Sequence, residues 1–188
     1  MVIFGTTPSQ TVGPYFAIGL PWPEGPFAVP EGTPGAITIT GTVFDGAGLP
    51  MPDSLIETWQ ADPEGRFADL HGYGDRSVLD GFRGFARSGL KDGDGRYEIV
   101  TVKPGPVPGL GGRFQAPHIA ISVFARGMLH RCVTRLYFPD EAQANAADPI
   151  LALVPEDRRP TLIAEAVPGG YAFDIHVQGE NETIFFDL

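Results

Sequence analysis

The residues whose types and spacing bear on chemistry cluster between positions 101 and 138, in TVKPGPVPGLGGRFQAPHIAISVFARGMLHRCVTRLYF. His118 heads a β-branched run behind a proline- and glycine-rich loop, and arginines end the runs that follow. The pattern predicts two strands, 116–126 and 128–138, the kind of rigid scaffold on which a loop-borne site is held. Alternation along the first puts His118, Ala120 and Ser122 on one face and Ile119, Ile121 and Val123 on the other. A histidine on such a face suits metal ligation. A metal site there needs a second donor at position 120, and Ala120 has none. His130, on the second predicted strand, is placed to approach His118, whereas His71 and His176 have no companion at metal-like spacing.

Other residues carry a functional and a structural reading side by side. Glu57 shares a strand face with Trp59, as a general base or as a rim residue. Arg126, Arg131 and Arg135 are cations able to meet a carboxylate or to end in surface ion pairs, with Arg135 the more structural of the three. Tyr15 offers an aromatic wall and a hydroxyl, or an anchor that packs on its own domain. The irregular excursion 61–79 holds His71, Tyr73 and Asp75, and a loop of that length forms a site or an interface. The DGDG at 92–95 reads as a hairpin turn; a calcium loop would need further oxygen ligands and a closing glutamate.

The elements that must position these residues are short strands. AITITGTVF (36–44), SLIETWQ (54–60), 82–90 and 97–102 have strand composition and are separated by turn signals. Strands are also expected at 161–166 and 171–177, joined by Pro168-Gly169-Gly170, and at 182–188. One short helix fits 140–147, with a further turn at 155–159. Residues 7–20 read as an extended stretch anchored by Tyr15 and Phe16, and 21–34 as a surface loop, together an N-terminal arm over about 1–34. The expectation is one all-β domain over 1–188, an antiparallel β-sandwich with long loops and one or two short helices.

The 25 glycines and 19 prolines are spread between apolar segments, which excludes both long helices and simple disorder. A net charge of −10 without a basic stripe argues against nucleic acid, and no apolar run approaches membrane-span length. An anionic ligand would need a local arginine to overcome that field. The single cysteine, Cys132, makes no internal bridge and points to a reducing, cytoplasmic setting.

TPSQTVGPYF (7–16), WQAD (59–62), KPGPVP (103–108), APHIAIS (116–122), FARG (124–127), TRLYFPDE (134–141) and QGENETIFFDL (178–188) occur in one order over nearly the whole chain. Together they resemble the intradiol ring-cleavage dioxygenases, whose iron-bearing chains carry KPGPYPW followed by HIH. The resemblance implies a β-sandwich and Fe(III) held by two tyrosinates and two histidines. His118 matches the first histidine. Ala120 stands at the second, Val107 at one tyrosine, and Asp75, counted back from FRGFARSGLKDGDG without a gap, at the other, with Tyr73 two residues away. One ligand of four survives, or two with a loop shift, too few to keep Fe(III) from water. His118 is then a relic hydrogen-bonded in the core.

The resemblance therefore implies the iron-free α half of a large α/β hetero-oligomer. Fe(III) sits on a homologous β subunit, and Gly13, Pro14, Tyr15 and Arg126 of this chain complete the site at the interface. Protocatechuate and O2 are the implied substrates, and 3-carboxy-cis,cis-muconate the product. Two rivals stand beside it: a purely structural β-sandwich, and a self-sufficient dioxygenase using His118, His130, Tyr73 and a further oxygen ligand.

Overall fold

The computed structural model describes residues 5–68, 79–89 and 95–187. In chain order its strands are β1 (Ala36–Phe44), β2 (Leu55–Trp59), β3 (Phe85–Gly89), β4 (Arg96–Val102), β5 (Val107–Pro108), β6 (Phe114–Gln115), β7 (His118–Phe124), β8 (Cys132–Tyr137), β9 (Glu165–Val167), β10 (Gly170–Ala172) and β11 (Ile175–His176). The α-helices are α1 (Phe16–Gly19) and α2 (Ala142–Ala147). Among the described residues no helix is long and apolar enough to cross a membrane.

Two sheets face each other. The first is built on β1, the most β-branched run, which pairs antiparallel with β4 from Ala36 opposite Val102 to Thr42 opposite Arg96. The second has the order β3-β2-β7-β8, antiparallel throughout, and β5 and β6 form a separate ribbon. The first sheet departs from the all-antiparallel expectation, because β10 and then β11 run parallel to β1 while β9 folds back on β10. Between β10 and β11 the chain leaves the ladder: Phe173 N donates to Thr40 O at 2.8 Å, and the Asp174 carboxylate accepts from Thr42 N at 2.8 Å. That detour passes over Gly41, where a Cβ would collide with the Phe173 carbonyl, so only glycine fits.

Period-2 patterning fills the space between the sheets. Ile119, Ile121 and Val123 of β7 point inward with Ile56 and Leu136, against Ile39, Val43 and Ile99 of the first sheet. Each is at most 2% exposed, worth about 1.5–3 kcal/mol of burial apiece.

The segment 21–34 is not a surface loop. Its prolines keep it out of a ladder, yet its backbone stitches the sheets together: Ala28 N donates to Val100 O, Val100 N to Pro26 O, and Arg87 N to Gly25 O. Ala28 and Val29 are buried by it. Residues 182–187 form no strand; Phe186 N donates to Val133 O and Thr134 Oγ1 to Ile184 O, so they lie along β8 without a ladder. Of the strand expected at 161–166, Glu165 and Ala166 lie in β9, whereas Thr161 and Leu162 close a 3₁₀ helix over Glu156–Leu162, entered from Pro155. Of the predicted DGDG turn only Gly95 is described, with φ +82.

Candidate functional site

The outward face of the second sheet carries His118, Ala120 and Ser122 as alternation predicts. Strand register sets Ala120 between Trp59 and Arg135, and His118 opposite Tyr137. The β5–β6 ribbon and Phe67 roof this face, enclosing a cavity of about 220 Å³. Trp59 and Phe67 stack at 6.0 Å and form one wall, and Val107, 4% exposed, forms part of another.

Arg135 is the cation of the cavity. Its Nη1 donates to Gln115 Oε1 at 2.7 Å and lies 3.5 Å from the Tyr137 hydroxyl, which reaches Asp148 Oδ1 at 3.3 Å. Asp148 is fully buried; its oxygens also accept from the backbone N–H groups of Ala116, Ile150 and Leu151 at 2.7–2.8 Å. His118 donates through Nδ1 to the Ala116 carbonyl at 2.7 Å, which leaves Nε2 as the acceptor of the neutral ring. Burial, and secondarily the Arg135 charge, hold its pKa below the usual histidine range. Sequence reasoning did not single out Gln115 or Asp148. The only signal for Asp148 was an aspartate before Pro149 at a helix end.

The donor set at this face does not fit Fe(III). Val107 and Ala120 carry no donor atoms, and a guanidinium beside His118 opposes a trivalent cation. Among the described residues no three His, Cys, Asp or Glu side chains come together as a metal site. His71, Tyr73 and Asp75 lie outside the described residues. His130 is exposed in the turn between β7 and β8, while His118 pairs with Tyr137 at the other end of that hairpin, so the expected approach of the two does not occur. His176 stacks on Phe44 at 4.8 Å in the other sheet. Glu57 receives Arg87 Nε at 2.8 Å and Nη2 at 2.5 Å, an ion pair rather than a free base. Cys132 is a free, half-buried thiol.

A second locus forms where the arm meets the end of β7. Gly13, at φ +71, turns the chain through Pro14 into the single turn of α1. That turn buries Phe16 and leaves Tyr15 80% exposed, so of the two expected anchors only Phe16 anchors. Gly127 N donates to Thr11 Oγ1 at 2.8 Å, which fixes the arm beside Arg126. The Arg126 side chain is 62% exposed, with Nε 3.2 Å from Asp53 Oδ2. Arg131 is exposed and Arg135 lies in the cavity described above, so of these three arginines Arg126 is the one next to the Gly127 tether. The arm thus presents an exposed phenol at Tyr15 and the hydrophobic Ile18, 78% exposed, and the turn it is tied to presents the exposed guanidinium of Arg126.

The family model described as dioxygenase (Dioxygenase_C) matches residues 11–179. The alpha chain of protocatechuate 3,4-dioxygenase of Burkholderia cepacia is 44% identical over 204 aligned residues covering 100% of both chains. The beta chain of protocatechuate 3,4-dioxygenase of the same organism is 34% identical over 78% of this chain and 66% of its own length. Among solved structures, the dioxygenase domain of a dioxygenase and carbohydrate-binding fusion protein from Streptomyces sp. SirexAA-E is 30% identical, with a TM-score of 0.58 over 93% of this chain and 99% of that one.

Proposed function

This chain belongs to the intradiol ring-cleavage dioxygenase family, and from that premise we propose that it is the alpha half of a two-chain dioxygenase that cleaves protocatechuate with O2. The product is 3-carboxy-cis,cis-muconate, and the site lies at the interface with a homologous beta chain. Fe(III), which that partner would hold, would supply the Lewis acidity that ionises the catechol and readies its ring for O2. The observation that carries the reading is the arm edge: Tyr15 and Arg126 are exposed on the chain alone, and the hydrogen bond from Gly127 N to Thr11 Oγ1 ties the arm that carries Tyr15 to the turn that carries Arg126. Exposed aromatic and arginine side chains fixed in one place are characteristic of surfaces that a partner covers.

In this reading Gly13 and Pro14 set the backbone entry of the arm, and Tyr15 walls the cavity and presents its hydroxyl. Arg126 meets the substrate carboxylate, or lines the mouth of the cavity, as a local cation within an acidic chain. The ring orientation that follows is this chain's contribution. A large alpha/beta assembly and a cytoplasmic location go with the proposal, the latter carried by the single cysteine.

The test is expression of this chain alone and together with a beta chain, measuring iron and ring cleavage. Activity confined to the co-expressed assembly, falling by roughly tenfold or more in Tyr15→Ala and Arg126→Ala, is the expected result. Unchanged turnover in both variants would return the chain to a structural role, and iron with activity in the isolated chain would overturn the division of labour.

A further inference from the structure

We propose that Asp53 is a positioning residue for the reaction: it restrains the Arg126 guanidinium at Nε and leaves the two terminal nitrogens as a preformed fork for the substrate carboxylate. The inference rests on the role given to Arg126 above and adds what aims it.

The pairing is built into the second sheet. The antiparallel register of β2 and β7 ends with Leu55 opposite Phe124, and two residues further along each chain Asp53 and Arg126 come opposite each other. Their side chains meet there, with Arg126 Nε 3.2 Å from Asp53 Oδ2. The aspartate is the sheltered member of the pair, its side chain 15% exposed against 62% for the arginine. Its Oδ2 is buried and has no hydrogen-bond partner among the described residues, so the guanidinium is what compensates its charge. A carboxylate fixed by the fold with a single cation beside it restrains that cation.

An exposed arginine otherwise samples many rotamers and loses that freedom when it grips a ligand. Asp53 removes part of the freedom beforehand, and it does so at Nε alone. Among the described residues Arg126 has no other ion pair or hydrogen-bonded side-chain partner, which leaves Nη1 and Nη2 in the geometry that matches two carboxylate oxygens. The main chain is held as well, since Gly127 N donates to Thr11 Oγ1 at 2.8 Å. Asp53 also opposes an anionic ligand through its charge. Orientation and charge therefore predict opposite signs for its removal, and the proposal is that orientation wins.

Initial rates of the co-expressed alpha/beta assembly test this with two variants. Asp53→Asn keeps the shape and removes the charge; Asp53→Glu keeps the charge and moves it by one methylene, and carries the test if the first fails to assemble. KM for protocatechuate should rise roughly twofold to tenfold in Asp53→Asn, and less in Asp53→Glu, with kcat almost unchanged, as expected when one side chain must be ordered on binding. Catechol, the same ring without the carboxylate, offered in competition with protocatechuate, should keep its affinity, a separation that a merely structural role does not produce. In the Arg126→Ala background neither Asp53 variant should raise KM further. A KM for protocatechuate that is unchanged or lowered, an equal loss of affinity for catechol, or a further rise beside Arg126→Ala would each overturn the proposal. Arg126→Ala without effect on turnover is the failure of the interface reading, whereas a costly Arg126→Ala beside a neutral Asp53→Asn is the failure of this inference alone.

Discussion

The Gly127 N–H donates to Thr11 Oγ1 at 2.8 Å, joining residues 116 positions apart and bringing the arm that carries Tyr15 onto the turn that carries Arg126. The stretch that leads into GPY is thereby tied to FARG, far from it in sequence. The bond is exposed and single, so it positions the arm more than it stabilises the fold.

Thr11→Val tests that distinction. A net hydrogen bond of about 0.5–1.5 kcal/mol is lost from the arm, which other contacts, chiefly the buried Phe16, still hold. The melting temperature of the chain should move little. The specificity constant, kcat/KM, of the alpha/beta assembly should fall by roughly twofold to tenfold, read from initial rates at low protocatechuate. An unaltered kcat/KM would mean that the arm needs no tether.

Arg126 makes the same separation of stability from function. Its partner Asp53 is 3.2 Å away, but the guanidinium side chain is 62% exposed, and exposed ion pairs contribute ~0–1 kcal/mol. Arg126→Ala should leave urea denaturation of the chain almost unchanged while raising KM of the assembly. A large loss of stability would make the residue a structural one and remove it from the interface argument.

The core half of this fold was legible because burial imposes a period. The β7 run alternates isoleucine and valine with smaller or polar residues, and the structure puts each set where period 2 requires. Segment 21–34 defeated that reasoning: prolines disguise a backbone that forms bonds to β3 and β4 without any side-chain period. Tyr15 and Phe16, adjacent and alike in hydrophobicity, were equivalent as anchors until one helical turn aimed them apart. Asp148 was invisible for another reason, since its four partners are three backbone amides and a tyrosine assembled only by tertiary packing. The ligand losses at Val107 and Ala120 could be read from motif alone, but the Arg135 cation that faces them needed the β7–β8 register.

Gln60, within the WQAD motif, is the polar link between the sheets. It is 1% exposed; Nε2 donates to Val102 O at 2.8 Å and Ala61 O at 3.1 Å, and Oε1 accepts from Thr101 Oγ1 at 2.8 Å. Gln60→Leu keeps the bulk and strands two carbonyls and a hydroxyl in the interior, which should cost about 2–4 kcal/mol in urea denaturation with an unchanged m-value. Thr101→Val removes one donor and leaves one oxygen unmatched, so its cost should be smaller, about 1–3 kcal/mol. If the two variants cost the same, the link is not organised around Gln60.

The last prediction concerns acid. The His118 pKa is held below its usual value by burial and by Arg135, so the folded chain disfavours a proton that the unfolded chain accepts. Above about pH 6.5 the ring is neutral in both states and contributes no pH dependence. As pH falls below about 6.5 the unfolded state takes up the proton first, so this contribution to stability declines until the folded-state pKa is passed, after which the loss levels off. His118→Gln can still donate an amide N–H toward the Ala116 carbonyl but does not titrate. Melting curves of both proteins from pH 8 to about pH 5 should therefore converge near neutrality, apart from a constant offset, and separate on acidification, with the wild type losing stability faster. Parallel curves over the whole range would show that His118 is not the group that titrates, and the acid response would then have to be sought among the carboxylates.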